Sequence, residues 1–188
     1  LILAPAIGGV GLIKDLSKTM TIGVKNEGNI ICAVGATDGH LNNSQFLSIV
    51  ENREEGCVPE INLEIEKKNG MFILDCVKQE LTEAVHDIGE GGLLVAITEM
   101  CMAGNLGAHI EVDKNFLHSY FFGEDQGRYL IEVSEKNYET IISLGSQDSV
   151  YIEKIAIIKG NELKINNICS IPIHKLMKKN TEFFEKYT

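Results

Sequence analysis

The chain has 188 residues, 44% of them hydrophobic, and a mean hydropathy of +0.02, enough apolar material for one good-sized domain with a core that needs no disulfides. A net charge of −10 argues against a nucleic-acid or anionic-membrane surface, and no apolar run reaches the roughly 18 residues that a membrane span needs. Five scattered cysteines (Cys32, Cys57, Cys76, Cys101 and Cys169), odd in number and never spaced as CxxC, fit reduced thiols in a cytoplasmic protein better than a disulfide framework or a zinc site.

In chain order, the opening LILAPAIGGVGLI is apolar, lacks a basic leader and lacks an initiator methionine, so it reads as a chain entered midway, a piece of something longer. Within it, AIGGVGLI (6–13) reads as a short strand. Residues 18–37 read as a hairpin with strands TIGV and IICAV about a turn at 26–28. In NNSQFLSIV, Asn43 or Ser44 caps a short helix. REEGCVPE (53–60) is a polar loop, and INLEIEKKNGMFILDCVKQE (61–80) is a long helix despite Gly70. TEAVHD is a strand. From Leu93 the apolar positions 93, 97, 100 and 101 form one stripe of an amphipathic helix, GGLLVAITEMCMA. AHIEV is the next strand, a polar turn follows, and FFGEDQGRYLIEV is a loop delivering a strand at 128–133. SEKNYETIISL is a helix capped by Ser134, VYIEKIAIIKGNELKI a hairpin turning at 160–161, and IPIHKLMKKNTEFFEKY a closing helix. Helices and strands alternating irregularly, with at least two hairpins, imply an α+β fold: a layered mixed or antiparallel sheet with helices.

Three stretches carry chemistry. In HDIGEGGL, Gly89, Gly91 and Gly92 at a helix start expose backbone N–H groups that, with the helix dipole, favour an anion such as phosphate. The structural alternative is a tight turn in which Asp87 accepts hydrogen bonds from the free helix amides. His86 and Asp87 lack a further ligand at metal-binding spacing, and His109 and His118 are too weakly placed to complete a site. FGEDQGR is the densest in function: Glu124, Asp125 and Gln126 can orient a polar ligand and Arg128 can clamp a carboxylate or phosphate, or Arg128 can pair internally with Glu124 or Asp125. GHLNNSQ (39–45) can bind a ligand or cap the helix after it. No GxSxG, GxxxxGK[ST] or supported Cys–His pair is present.

Taken in order, APAIGGVGLIKDLSK, GATDGHLNNSQFL, HDIGEGGLLVAITEMCMAGNLGAHIEV and FGEDQGRYLIEV resemble the phosphoribosylformylglycinamidine synthase (PurL) family of purine biosynthesis over nearly the whole chain. The most specific part is the HDxxxGGLxxAxxEMxxxxxLG run. A looser version of it occurs in ATP-using enzymes for aminoimidazole ribotide, hydrogenase maturation and thiamine phosphate, so a fragment of one of these, or a phosphate-binding module, is the alternative. Asp125 stands where the family pattern has serine. The resemblance implies an AIR-synthase C-terminal-domain (PurM-like) fold. Residues 1–17 would be the end of a preceding ATP-binding-type half and its crossing strand, and 18–188 the second copy of the α+β domain. It also implies a parent enzyme that converts formylglycinamide ribonucleotide to its amidine with ATP, magnesium and glutamine-derived ammonia. The family's catalytic residues fall in segments that this sequence lacks, so the implied role is non-catalytic and the fragment alone inactive. Implied partners are the N-terminal domains of the same chain, a separate glutaminase subunit and a small bridging subunit, with a homodimer through the 6–13 strand as a further possibility.

Overall fold

Strand β1 (Ile30–Val34, IICAV) carries no polar side chain, and the fold gives it two covered faces. Its side chains alternate, with Ile31 and Ala33 entering one hydrophobic core and Ile30, Cys32 and Val34 another. A strand buried on both sides loses the polar alternation of a half-exposed one, which is why its run is continuous. The computed structural model describes residues 8–113, 115 and 117–185. Among them, the other strands are β2 (Ala84–Asp87), β3 (Ala108–Ile110), β4 (Tyr129–Val133), β5 (Ile152–Ile158), β6 (Glu162–Ile165) and β7 (Cys169–Pro172). They form one seven-stranded sheet in the order β2–β4–β1–β5–β3–β6–β7, antiparallel throughout except for the parallel pair β3–β6.

The helices are α1 (Gln45–Ile49), α2 (Leu63–Lys78), α3 (Gly92–Gly104), α4 (Leu117–Phe122), α5 (Glu135–Gln147) and α6 (Ile173–Glu185). The larger core joins α3, α4 and α6 to one face of the sheet through Leu93, Ile97, Met100, Phe121 and Ile173. The smaller joins α2 and α5 to the other face through Phe72, Ile73, Cys76 and Ile141. The sandwich is therefore helix–sheet–helix around β2, β4 and β1. Three of the five thiols sit in these cores, where burial pushes Cys32 and Cys101 up to about 12 and Cys76 to about 11. Cys57 and Cys169 are exposed.

Local signals account for the helix ends. The Asn62 side chain caps α2, accepting from the Glu64 and Ile65 amides at 3.1 Å each, and Ser44 caps α1 by accepting from Leu47 N–H at 3.3 Å. Ser134 holds the N-cap position of α5, but its hydroxyl makes no capping bond. Helix α3 ends at Asn105, whose left-handed φ of +52° closes the last turn.

Several sequence expectations need correction. Residues 21–24 are not a strand: the buried Glu132 carboxylate holds the segment that follows, accepting from Lys25 N–H (2.8 Å), Asn26 N–H (3.0 Å) and Asn29 Nδ2 (2.8 Å). A side chain does there what a ladder would do, so the 18–37 hairpin does not form. Strands β5 and β6 do not pair with each other either, because β3 lies between them, antiparallel to one and parallel to the other. The polar turn before residue 121 contains α4, and the first residues of the closing helix belong to β7. Of the strand expected at 6–13, residues 8–13 are exposed and unpaired, and 6 and 7 lie outside the described residues.

Candidate functional site

The sheet register puts the three chemistry-bearing stretches at one end. Val34 of β1 pairs with Tyr129 of β4, and Tyr129 with Asp87 of β2, so a single row of the sheet ends all three strands. The loop after β1 (35–44), the turn after β2 (88–91) and the loop before β4 (123–128) must therefore meet. Chain continuity alone would not have joined them.

Within that cluster Arg128 is buried, with 2% of its surface exposed. Its guanidinium turns inward: Nη2 donates to Gly123 O (2.6 Å), Nε to Asp125 O (3.2 Å) and Nη1 to Thr37 Oγ1 (3.1 Å), with Asp125 Oδ2 at 3.6 Å. Burial pulls the guanidinium below its ordinary pKa, and the nearby Asp125, Asp38, Tyr120 and Glu124 oppose that. The geometry is that of an internal clamp.

The two acids next to it are also engaged. Asp125 Oδ2 accepts from the amides of Asp38 (3.2 Å) and Gly39 (3.0 Å), and its Oδ1 from that of His40 (3.0 Å), folding the 35–44 loop over the carboxylate. One oxygen of Glu124, Oε1, accepts from Gly91 N–H and from Gln45 N–H, both at 2.8 Å, while its own N–H donates to His40 O at 2.9 Å. Asp87 does not accept from the α3 amides as expected. Its exposed carboxylate instead meets His86 Nδ1 at 3.2 Å, and the anion at the helix start comes from Glu124.

Two of the turn glycines are required by geometry. Gly91 and Gly92 have φ of +80° and +72°, and a Cβ on Gly92 would stand 2.6 Å from Gly123 O. Gly89 has ordinary φ, with only Asp87 Oδ2 near its would-be Cβ, at 3.8 Å. His86 stands apart from the clefts: its Nε2 lies 2.9 Å from Glu99 Oε2 on α3, which fixes the ring against that helix.

Two adjoining clefts flank the exposed Gln126. One, of about 590 Å³, is walled by Asp38, His40, Asn42, Glu60, Glu66 and Asn69, and the other, of about 450 Å³, by Asp87, Gly89, Glu90, Glu124 and Tyr129. Both are strongly acidic. Among the described residues no three His, Cys, Asp or Glu side chains stand together as a metal site. Of the candidates read from sequence, Asp87, Gly89, Glu124, Asp125, Gln126 and Arg128 line these clefts, whereas His86, Gly91 and Gly92 do not. Sequence reasoning missed Glu66 and Asn69 on α2, and Tyr129. Asn69 had a signal: with Phe72, Ile73 and Cys76 it forms an i, i+3, i+4, i+7 stripe, so an amide was due to be buried, and its Nδ2 donates to Gly127 O at 2.8 Å.

A mixed sheet with helices on both faces and three loops tied at one end defines a class, and the chain belongs to it: the family described as AIR synthase related protein, C-terminal domain, matches residues 26–161. The curated relatives are more particular. The chain is 36% identical over 185 residues to the phosphoribosylformylglycinamidine synthase subunit PurL of Pelagibacter ubique, covering 97% of this chain and 25% of that protein. To the same subunit of Zymomonas mobilis it is 40% identical over 182 residues, covering 95% of this chain and 24% of that one. It thus spans about a quarter of the length of the curated relatives it matches. Among solved structures, Thermotoga maritima PurL complexed with FGAR superposes with a TM-score of 0.72 at 20% identity, over 86% of this chain and 30% of that one. The hydrogenase maturation protein HypE of E. coli shares the fold at a TM-score of 0.58 and 14% identity, over 82% and 50%. T. maritima PurL is also known complexed with ATP and in a PurLQS structure.

Proposed function

We propose that the chain is the second α+β unit of a PurL-type phosphoribosylformylglycinamidine synthase, and that it supports the enzyme as scaffold. The observation that carries this is identity to PurL sustained over 97% of the chain. The whole enzyme would convert formylglycinamide ribonucleotide to its amidine with ATP and glutamine-derived ammonia. Residues 1–17 would close the preceding ATP-binding-type half, and the other partners would be a glutaminase subunit and a small bridging subunit, in the cytoplasm.

No step of that chemistry is assigned to these residues. Arg128, the one arginine lining the clefts, is spent on internal acceptors, and the charged residues left on the cleft walls are mostly carboxylates, which repel a bare phosphate. Among the described residues no three His, Cys, Asp or Glu side chains cluster, so a magnesium ion here would be held by one or two carboxylates and by the phosphates it accompanies. ATP and magnesium, if they reach this unit, would be gripped mainly by segments outside it.

Calorimetric titration of the purified chain with ADP–magnesium and with formylglycinamide ribonucleotide tests the scaffold role. Silence for both is the expected result. Micromolar binding of either would make the two clefts a working site and overturn it.

A further inference from the structure

In the turn at 89–92 Gly92 N–H is tied to Gly89 O at 3.1 Å, and the amide that could meet an anion, Gly91 N–H, already has one. Gly91 N–H, at the start of α3, and Gln45 N–H, at the start of α1, converge on one oxygen, Glu124 Oε1, at 2.8 Å each. Glu124 comes from neither helix. It reaches them from the loop before β4, and its own amide is tied to His40 O at 2.9 Å. The start of α3 is thus faced by a carboxylate from a third segment, which also holds the first amide of the short α1. That placement has two consequences. A ligand phosphate arriving at α3 would have to displace a tethered carboxylate from its donors. And because Glu124 ties the 35–44 loop, the start of α1, the start of α3 and its own loop together, it sets where Gln126, two residues on, stands between the two clefts.

We infer that Glu124 is the built-in anion of this region, a positioning residue that keeps phosphate groups off the α3 turn and fixes Gln126 at the wall between the clefts. Any ligand of the clefts is then recognised by its uncharged hydrogen-bonding groups rather than through a phosphate at the glycine turn.

The test is amide NMR on the full chain with inorganic phosphate and formate as probes. In the unaltered chain, Gly91 and Gln45 amides exchange slowly and do not move on adding phosphate. In Glu124→Ala both lose protection together, by roughly 10- to 100-fold for loss of a hydrogen bond to a charged acceptor. Millimolar formate or phosphate should then shift both resonances and restore protection. Glu124→Gln keeps an acceptor oxygen, so it should retain most of the protection and stay blind to phosphate. A simple packing role would predict no rescue by formate. The inference is overturned if phosphate saturates the Gly91 resonance in the unaltered chain, or if Glu124→Ala leaves the two amides protected. If Glu124→Ala does not fold, the same readings are taken on Glu124→Ser, which also removes the carboxylate, with the same expected and contradicting outcomes. None of these readouts depends on amidine synthesis, so a failure here is separate from a failure of the synthase assignment.

Discussion

At the scale of single residues, the glycine-rich turn separates positions that sequence treats alike. Gly92 has a left-handed φ and no room for a Cβ, because the backbone of 121–123 packs directly against it. Gly89 has neither constraint. Gly92→Ala should therefore destabilise the chain by roughly 2 kcal/mol or more, from left-handed strain plus the clash, while Gly89→Ala stays within about 0.5 kcal/mol. Urea denaturation of the two variants checks this, and equal losses would contradict it. Arg128 is a second such case. Arg128→Leu leaves Gly123 O, Thr37 and the Asp125 carboxylate without their cationic partner, at a cost of roughly 3–5 kcal/mol. Arg128→Lys should recover little, since a single ammonium cannot span three acceptors set out for a planar fork. Full recovery by lysine would mean that charge alone matters there.

At the scale of elements, what could be read depended on where the deciding contact lay. Helices α2, α3 and α5 were legible because their signals are local, the apolar stripe and leading glycines of α3 and the serine ahead of α5 among them, whereas the Asn62 cap that starts α2 two residues later than expected was not read. The hairpin expected at 18–37 failed because Glu132, more than a hundred residues on, supplies the acceptors for Lys25 and Asn26. The one at 150–165 failed because β3 intervenes, a matter of topology that no local pattern encodes. The same division runs through the site. All three loops were visible as polar, glycine-bearing stretches. Their joining at one end follows from the register Val34–Tyr129–Asp87, and the roles of Glu124 and Arg128 follow from that joining. Two serines at N-cap positions make the local part testable. Ser44 accepts from Leu47 N–H and Ser134 makes no capping bond, so Ser44→Ala should cost about 1 kcal/mol and Ser134→Ala close to nothing in thermal unfolding. A larger loss at Ser134 would show that its hydroxyl has a role the structure does not assign it.

At the scale of the whole molecule, one end of the sheet carries an acidic, internally tied pair of clefts, while apolar side chains lie exposed elsewhere, among them Val10 and Leu12 before the fold and Leu63, Met71 and Leu74 along α2. The fold is that of the AIR synthase related C-terminal domain, and the relatives that match it along its length are about four times longer. The proposed scaffold role is supported by two facts: Arg128, Asp125 and Glu124 are committed to internal partners, and the matching relatives are about four times longer than this chain. The most direct test is to replace the corresponding quarter of Pelagibacter ubique PurL with residues 1–188 and assay ATP-dependent conversion of formylglycinamide ribonucleotide, supplying ammonia directly. The account predicts a folded chimera with activity near the parent's and a kcat unchanged by Gln126→Ala, since the proposed scaffold role puts no catalytic group in this unit. A folded chimera without activity would contradict the synthase assignment, and an active one whose kcat collapses on Gln126→Ala would contradict the scaffold role.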